Sequence, residues 1–213
     1  MNDVFELDSR SFKVRRQILA TFRTRGFHES HHTVYAIVSC QGRGEDIRWG
    51  SKNTPHGSHA EIKMLRFLGE TLHRCAWESI QSIVMYISTS PCPSCSREIV
   101  FLTRTKLQPR AVTLDIVVAG LYEIGTSEAN LYHNDENVRG LRDLVRARVR
   151  LRIFTDKDWF RLKSNVLRLK SSPFAGNLSV TNEDRAQKDT KLRKVLRTIL
   201  QGGRYTDVFM TSY

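Results

Sequence analysis

Apolar residues at Ile62, Leu65, Leu68 and Leu72 recur every three or four positions, and Met64 and Phe67 widen the stripe. That is the period of an α-helix, so 59–73 predicts a helix buried along one side. Ser82 to Ser88 shows a different pattern, a short run rich in Ile and Val between polar residues, which predicts a buried strand. Val112 to Leu121 predicts another. Shorter strands are expected at Thr33 to Ser39 and near Ile47 to Gly50, with Gly42 and Gly44 suiting a hairpin turn between them. A first helix is expected from a cap at Asp8 or Ser9 to about Arg25, with Phe12, Ile18, Leu19 and Phe22 as its apolar contacts.

Further along, helices are predicted at Ser94 to about Lys106, near Asn137 to Ala147, and at Lys157 to Leu169, with a strand at Val149 to Thr155. Side chains alternate along a strand, so Arg148, Arg150 and Arg152 fall on one face and call for an edge position or an anion. Glu123 to Asn137 is polar and without periodicity, and reads as a long functional loop. Ser171 to Asn182 reads as a linker. A last amphipathic helix spans about Glu183 to Leu200, with Leu192, Val195, Leu196 and Ile199 on one stripe and Gly202 and Gly203 as its stop. The expectation is one α/β domain over 1–213, of which 171–213 forms a linker and a basic C-terminal helix.

Composition narrows the class. Hydrophobic residues at 40% and charged residues at 26% exclude wholesale disorder. Four cysteines are too few for a disulfide-rich scaffold. Met1 to Arg10 carries Asp3, Glu6 and Asp8 and no apolar core, and the longest apolar runs, such as Ile83 to Ile87, fall far short of the roughly 18 residues of a spanning helix. A soluble protein of the nucleus or cytoplasm, with no membrane partner, is therefore expected; nothing in the residues fixes an oligomeric state. The net charge of +12 is uneven. Residues 1–138 hold 16 basic and 15 acidic side chains, whereas 139–213 hold 18 and 7. Such a basic third suits either a polyanion partner or a solvated surface.

One constellation carries chemistry: His59-Ala60-Glu61, then, after a gap of 29 residues (62–90), Pro91-Cys92-Pro93-Ser94-Cys95. A catalytic zinc needs three nitrogen or sulfur ligands and a fourth, open position, and His59, Cys92 and Cys95 supply three. The Cys-x-x-Cys pair lies at the mouth of a predicted helix, whose positive end favours thiolates. Glu61 is close enough to face the ion without ligating it, and a carboxylate there can move a proton from water to a leaving amine. A lone Cys-x-x-Cys would equally suit a redox motif or half a zinc ribbon. The two halves together form the H-x-E…P-C-x-x-C signature of zinc nucleobase deaminases. Cys40 and Cys75 have no ligand spacing and read as core or surface thiols, and His28, His31 and His32 stand in a loop with little to suggest a second metal.

The chain resembles the AID/APOBEC family of polynucleotide cytosine deaminases, and within it looks most like the lamprey branch. Besides the zinc signature, the resemblance rests on Ala119-Gly120-Leu121-Tyr122, on Gly140-Leu141-Arg142-Asp143-Leu144 and on Val149 to Asp158. It implies a cytidine deaminase-like three-layer fold with a five-stranded mixed sheet and about six helices, one bound Zn2+, and hydrolysis of cytosine to uracil in single-stranded DNA. Antigen-receptor diversification or defence against foreign DNA would be the setting. His59, Cys92 and Cys95 would hold the zinc, with Glu61 as proton shuttle. Asn53, Ser90, Tyr122, Thr33 and His31 would contact the target nucleotide or its neighbour. RNA as substrate, or a nucleic-acid-binding protein with a vestigial zinc site, are the alternatives.

Two departures from the family pattern bear on the site. Thr89 stands where members usually carry a tryptophan wall for the ring, a loss of stacking of about 1–3 kcal/mol that also leaves room for a larger base. The segment after Tyr122 is long and acidic, with Glu123, Glu128, Asp135 and Glu136, so a preference for the 5′ base does not transfer.

Overall fold

The computed structural model describes residues 4–6, 12–24, 35–42, 47–53, 59–74, 80–124, 131–167 and 183–203. His28, His31, His32, Thr33, Cys75 and the expected linker lie outside them. Within this set the order is β1 (Val4–Glu6), α1 (Phe12–Thr24), β2 (Tyr35–Gly42), β3 (Ile47–Lys52), α2 (Ala60–Arg74), β4 (Ile80–Ile87) and α3 (Pro93–Leu102). Then follow β5 (Thr113–Val118), α4 (Leu131–Arg146), β6 (Arg150–Ile153), α5 (Asp156–Leu167) and α6 (Glu183–Leu200). One mixed sheet runs β1-β3-β2-β4-β5-β6. Pairing is antiparallel from β1 to β4, then parallel from β4 through β5 to β6. The five expected strands are present. The sixth is β1, three residues at the edge whose register sets Val4 opposite Ser51.

Alternation along the parallel strands divides the core. Ile83, Met85 and Ile87 of β4, with Leu114, Ile116 and Val118 of β5, face a cluster that takes in Met64, Leu68, Ile99, Leu141, Leu144 and Ile199 from α2, α3, α4 and α6. Val84, Tyr86 and Val117 face the other way, onto Ile18 and Phe22 of α1 and Trp159 and Leu162 of α5. The sheet is therefore sandwiched between four helices and two, which makes the three layers. On the two-helix side Phe154 stacks on Trp159 with centroids 4.2 Å apart, and Phe22 meets Phe154 edge-on at 5.9 Å.

The expected loop at 123–137 is helical from Leu131 onward. Residues 131–137 read LYHNDEN, two adjacent apolar residues and then five polar ones, so no apolar period betrays the helix. At the other end, α3 continues past Leu102 into a π-turn (Thr103–Leu107) and a 3-10 turn (Gln108–Arg110).

Three helical segments end in the same pair of hydrogen bonds, one from residue C″ to C3 and one from C′ to C2. After α6 they run from Gly203 to Thr198 and from Gly202 to Ile199, and Gly202 takes φ 83°. After α4 they run from Val149 to Leu144 and Arg148 to Val145, and after the 3-10 turn from Val112 to Leu107 and Ala111 to Gln108. The left-handed position, filled by glycine after α6, is filled by Arg148 at φ 61° and Ala111 at φ 55° in the other two.

The basic third of the chain is used in part internally. Arg142 donates to the Ile199 carbonyl at 2.8 Å, Arg193 to the Phe154 carbonyl at 2.8 Å, and Arg152 pairs with Asp158. Arg185, 3% exposed, pairs with Asp189, stacks over Trp159 at 5.0 Å, and donates to the Ala119 carbonyl at 2.6 Å. All four make bonds within the fold, and Arg185 is withdrawn from the surface altogether. Arg150 and Arg152 meet both expectations at once, since β6 is an edge strand and they pair with Asp115 and Asp158, whereas Arg148 stands before β6 in the left-handed turn and shares no strand face with them.

Candidate metal and active site

The site forms where α2 and α3 begin, beside the carboxyl ends of β4 and β5. His59 precedes the first residue of α2, and its carbonyl accepts from the Lys63 N–H at 3.1 Å. Cys92 is the N-cap of α3, Pro93 takes the first helical position where no N–H is needed, and the Cys92 carbonyl accepts from the Ser96 N–H at 2.8 Å. Two ligands thus sit at the positive ends of two helices, and Cys95 follows one turn into α3.

His59 Nδ1 lies 3.2 Å from Cys95 Sγ and 3.4 Å from Cys92 Sγ, and the three ligand atoms fall within 4.8 Å of one another. Among the described residues this is the cluster that could hold a metal. A tetrahedral ion with Zn–N of about 2.0 Å and Zn–S of about 2.3 Å sets nitrogen and sulfur about 3.5 Å apart, so the set fits zinc. Its electrostatics fit as well. A hydrogen bond from the Cys95 thiol holds Cys92 down to about 4, while that bond and burial push Cys95 up. A dication held by the set would favour the thiolate form of both cysteines. Ser94 Oγ lies 3.1 Å from Cys92 Sγ.

Glu61 is 3% exposed, and its Oε2 has no hydrogen-bond partner among the described residues. Burial pushes its carboxyl up to about 7, against a lowering backbone hydrogen bond. The end of β3 is fastened to the same turn: Ser51 Oγ donates to the Ala60 carbonyl at 2.7 Å, and Lys63 Nζ donates to the Lys52 carbonyl at 2.9 Å. Asn53, half-buried, is the next residue after Lys52 and is held beside the start of α2 by that double link.

Ser90 joins the two strand ends. Its N–H donates to the Gly120 carbonyl at 2.8 Å, and its Oγ accepts from the Tyr122 N–H at 2.9 Å. Tyr122 is half-buried, and burial with the adjacent Glu123 carboxylate raises its phenol. Thr89, at the position where the tryptophan would stand, is 3% exposed. The structure therefore brings His59, Glu61, Cys92 and Cys95 together, with Ser90 and Tyr122 on the neighbouring strand ends; Thr33 and His31 lie outside the described residues. Ser51, Lys63 and Ser94 were not singled out from sequence, because isolated serines and lysines carry no spacing signal.

A family model described as "APOBEC3, cytosine deaminase domain" matches residues 41–196. Similar proteins include the mouse "C->U-editing enzyme APOBEC-1", 36% identical over 125 residues that make up 57% of this chain and 47% of the relative. The protein of that name from Rattus norvegicus is 34% identical over 123 residues, 57% of this chain and 47% of the relative. The chain spans about half the length of the curated relatives it matches. These mammalian matches lend no support to a particular affinity with the lamprey branch.

Proposed function

The chain belongs to the APOBEC3 cytosine deaminase domain family, and from that premise we propose that it hydrolyses cytosine to uracil in single-stranded DNA, with one zinc ion per chain. The observation that carries the reading is Glu61, a buried carboxylate whose Oε2 has no partner among the described residues, two positions from His59 of a cluster that offers three ligands. Zinc bound by His59, Cys92 and Cys95 would supply Lewis acidity for activating a water. Glu61 Oε2 takes a proton from the water that attacks C4 of the ring, and passes it to the amine that departs as ammonia. A carboxyl raised by burial toward neutrality is suited to both halves of that exchange. In this reading Tyr122 and Asn53 contact the target nucleotide, whose base has to arrive unstacked, and so from a single strand or a flipped nucleotide.

The relatives' description as C->U-editing enzymes makes RNA the second reading. A polynucleotide substrate of either kind suits a protein of the nucleus or cytoplasm, acting in receptor diversification or defence. The test is uracil formation in matched DNA and RNA oligonucleotides bearing one cytosine, with Glu61→Ala alongside. The expected result is conversion of DNA by the wild type, none by Glu61→Ala, and equal zinc content in both. Faster turnover of RNA would reassign the substrate, and unchanged activity in Glu61→Ala would overturn the mechanism.

A further inference from the structure

Six cations meet at the end of the sheet away from the cysteines. From Cys92, α3 covers about 15 Å in ten residues and delivers its two closing turns, with Arg104, Lys106 and Arg110, to the end where β5 and β6 begin. There Gln108 Nε2 donates to the Ala147 carbonyl at 2.9 Å, docking those turns onto the α4–β6 connection that carries Arg146, Arg148 and Arg150. The register confirms the meeting: Asp115 faces Arg150, which sets Arg148 level with Thr113, three residues beyond Arg110. All six side chains are exposed. The segments 103–115 and 143–150 contain two carboxylates, Asp115 and Asp143, which pair with Arg150 and with Arg146 at 2.9 Å. Across these two segments the charge keeps a strong positive excess. Arg148 occupies the left-handed position that glycine fills after α6, so a guanidinium is displayed here at a conformational cost to the chain.

We propose that this pole is a second nucleic-acid-binding surface, taking the phosphodiester backbone of a single strand at a segment remote from the one in the catalytic site. The active site lies at the carboxyl ends of β4 and β5 and this surface at the amino ends of β5 and β6, about 20 Å away along the strands. One short strand centred on the reacting base engages the first alone; a long one engages both. Such a grip is electrostatic, sequence-independent and salt-sensitive. The proposal rests on a polynucleotide being the substrate, but it is read by binding. Loss of deamination with binding intact would therefore count against the proposed reaction and not against this surface.

The experiment measures the affinity of the full chain for a 40-nucleotide single-stranded DNA across a salt series, and turnover of a five-nucleotide one. The triple variant Arg104→Ser, Lys106→Ser, Arg148→Gly removes three charges without touching Glu61 or the ligands, and glycine is at home at position 148. Its affinity for the long strand should fall at least tenfold at low salt, with the log–log salt slope shallower by about 2, while five-nucleotide turnover stays at the wild-type value. A charge-matched control, Lys13→Ser, Arg16→Ser, Arg66→Ser, removes exposed cations from α1 and α2 and should leave the slope in place. An unaltered slope in the triple variant, an equal loss in the control, or a parallel loss of short-strand turnover would overturn the proposal.

Discussion

The indole Nε1 of Trp159 donates to Asp189 Oδ2 at 2.7 Å, joining α5 to α6 through a buried hydrogen bond. The other oxygen of the same carboxylate pairs with Arg185, which reaches both the Ala119 carbonyl and the Arg23 carbonyl. One acidic side chain thus fixes the C-terminal helix against the strand end that leads to Tyr122.

Removing that carboxylate should cost much more than the average substitution. Asp189→Ala leaves the Arg185 guanidinium buried without its counter-charge and the indole N–H without an acceptor, a loss of about 3–5 kcal/mol. Asp189→Asn keeps an acceptor for Trp159 and should fall between the two. Urea denaturation followed by tryptophan fluorescence measures both. A value for Asp189→Ala below about 1 kcal/mol would show that α6 is held by its apolar stripe alone.

Acid should weaken the fold through Asp158. Burial by itself would raise this carboxyl, but hydrogen bonds from Arg152 and from the Thr155 N–H and hydroxyl outweigh it and hold it below the ordinary carboxylate range. A group lowered in the folded state contributes stability that is fully present above its unfolded pKa and is lost as pH falls through the folded one. Asp158→Asn should therefore be less stable at neutral pH, by about 2 kcal/mol, with the difference closing below the ordinary carboxylate range. Denaturation midpoints from pH 7 to pH 2 test this, and a gap constant over that range would refute it.

The left-handed residue that closes the 3-10 turn offers a gain. Ala111→Gly relieves a φ of 55°, and although glycine also frees the unfolded chain, a net increase of about 0.5–1 kcal/mol is expected. The mirror change, Gly202→Ala at φ 83°, should lose about 1 kcal/mol, although no atom stands within 4 Å of the added methyl. Equilibrium unfolding of the two variants should move in opposite directions.

Period and run length made much of the fold legible. The i, i+3, i+4 stripe of α2 and the Ile/Val runs of β4 and β5 announced themselves, and α6 begins and ends at the expected residues because a glycine stop follows a clear apolar face. His59, Glu61, Cys92 and Cys95 were readable because each half of the site occupies the start of a helix, where a fixed local geometry turns sequence spacing into spatial spacing. The start of α4 was hidden because its sequence carries no apolar period, and β1 by its length of three residues and its dependence on a partner more than forty positions away. Charge counting could not set Arg185 apart as buried, because the count cannot tell which side of α6 packs. The bond between Ser90 and Tyr122 joins the ends of two strands whose parallel pairing is itself a tertiary fact.

The two strands that border the sheet are its shortest, three residues in β1 and four in β6, against six to eight in the others. A strand arriving from another molecule could zip onto only a few backbone groups at either border, and at β6 it would meet the exposed charge of Arg150. That is a poor template for growth by strand addition, so crowding many copies together on one polynucleotide need not start the sheet-to-sheet aggregation that a long, bare edge would invite.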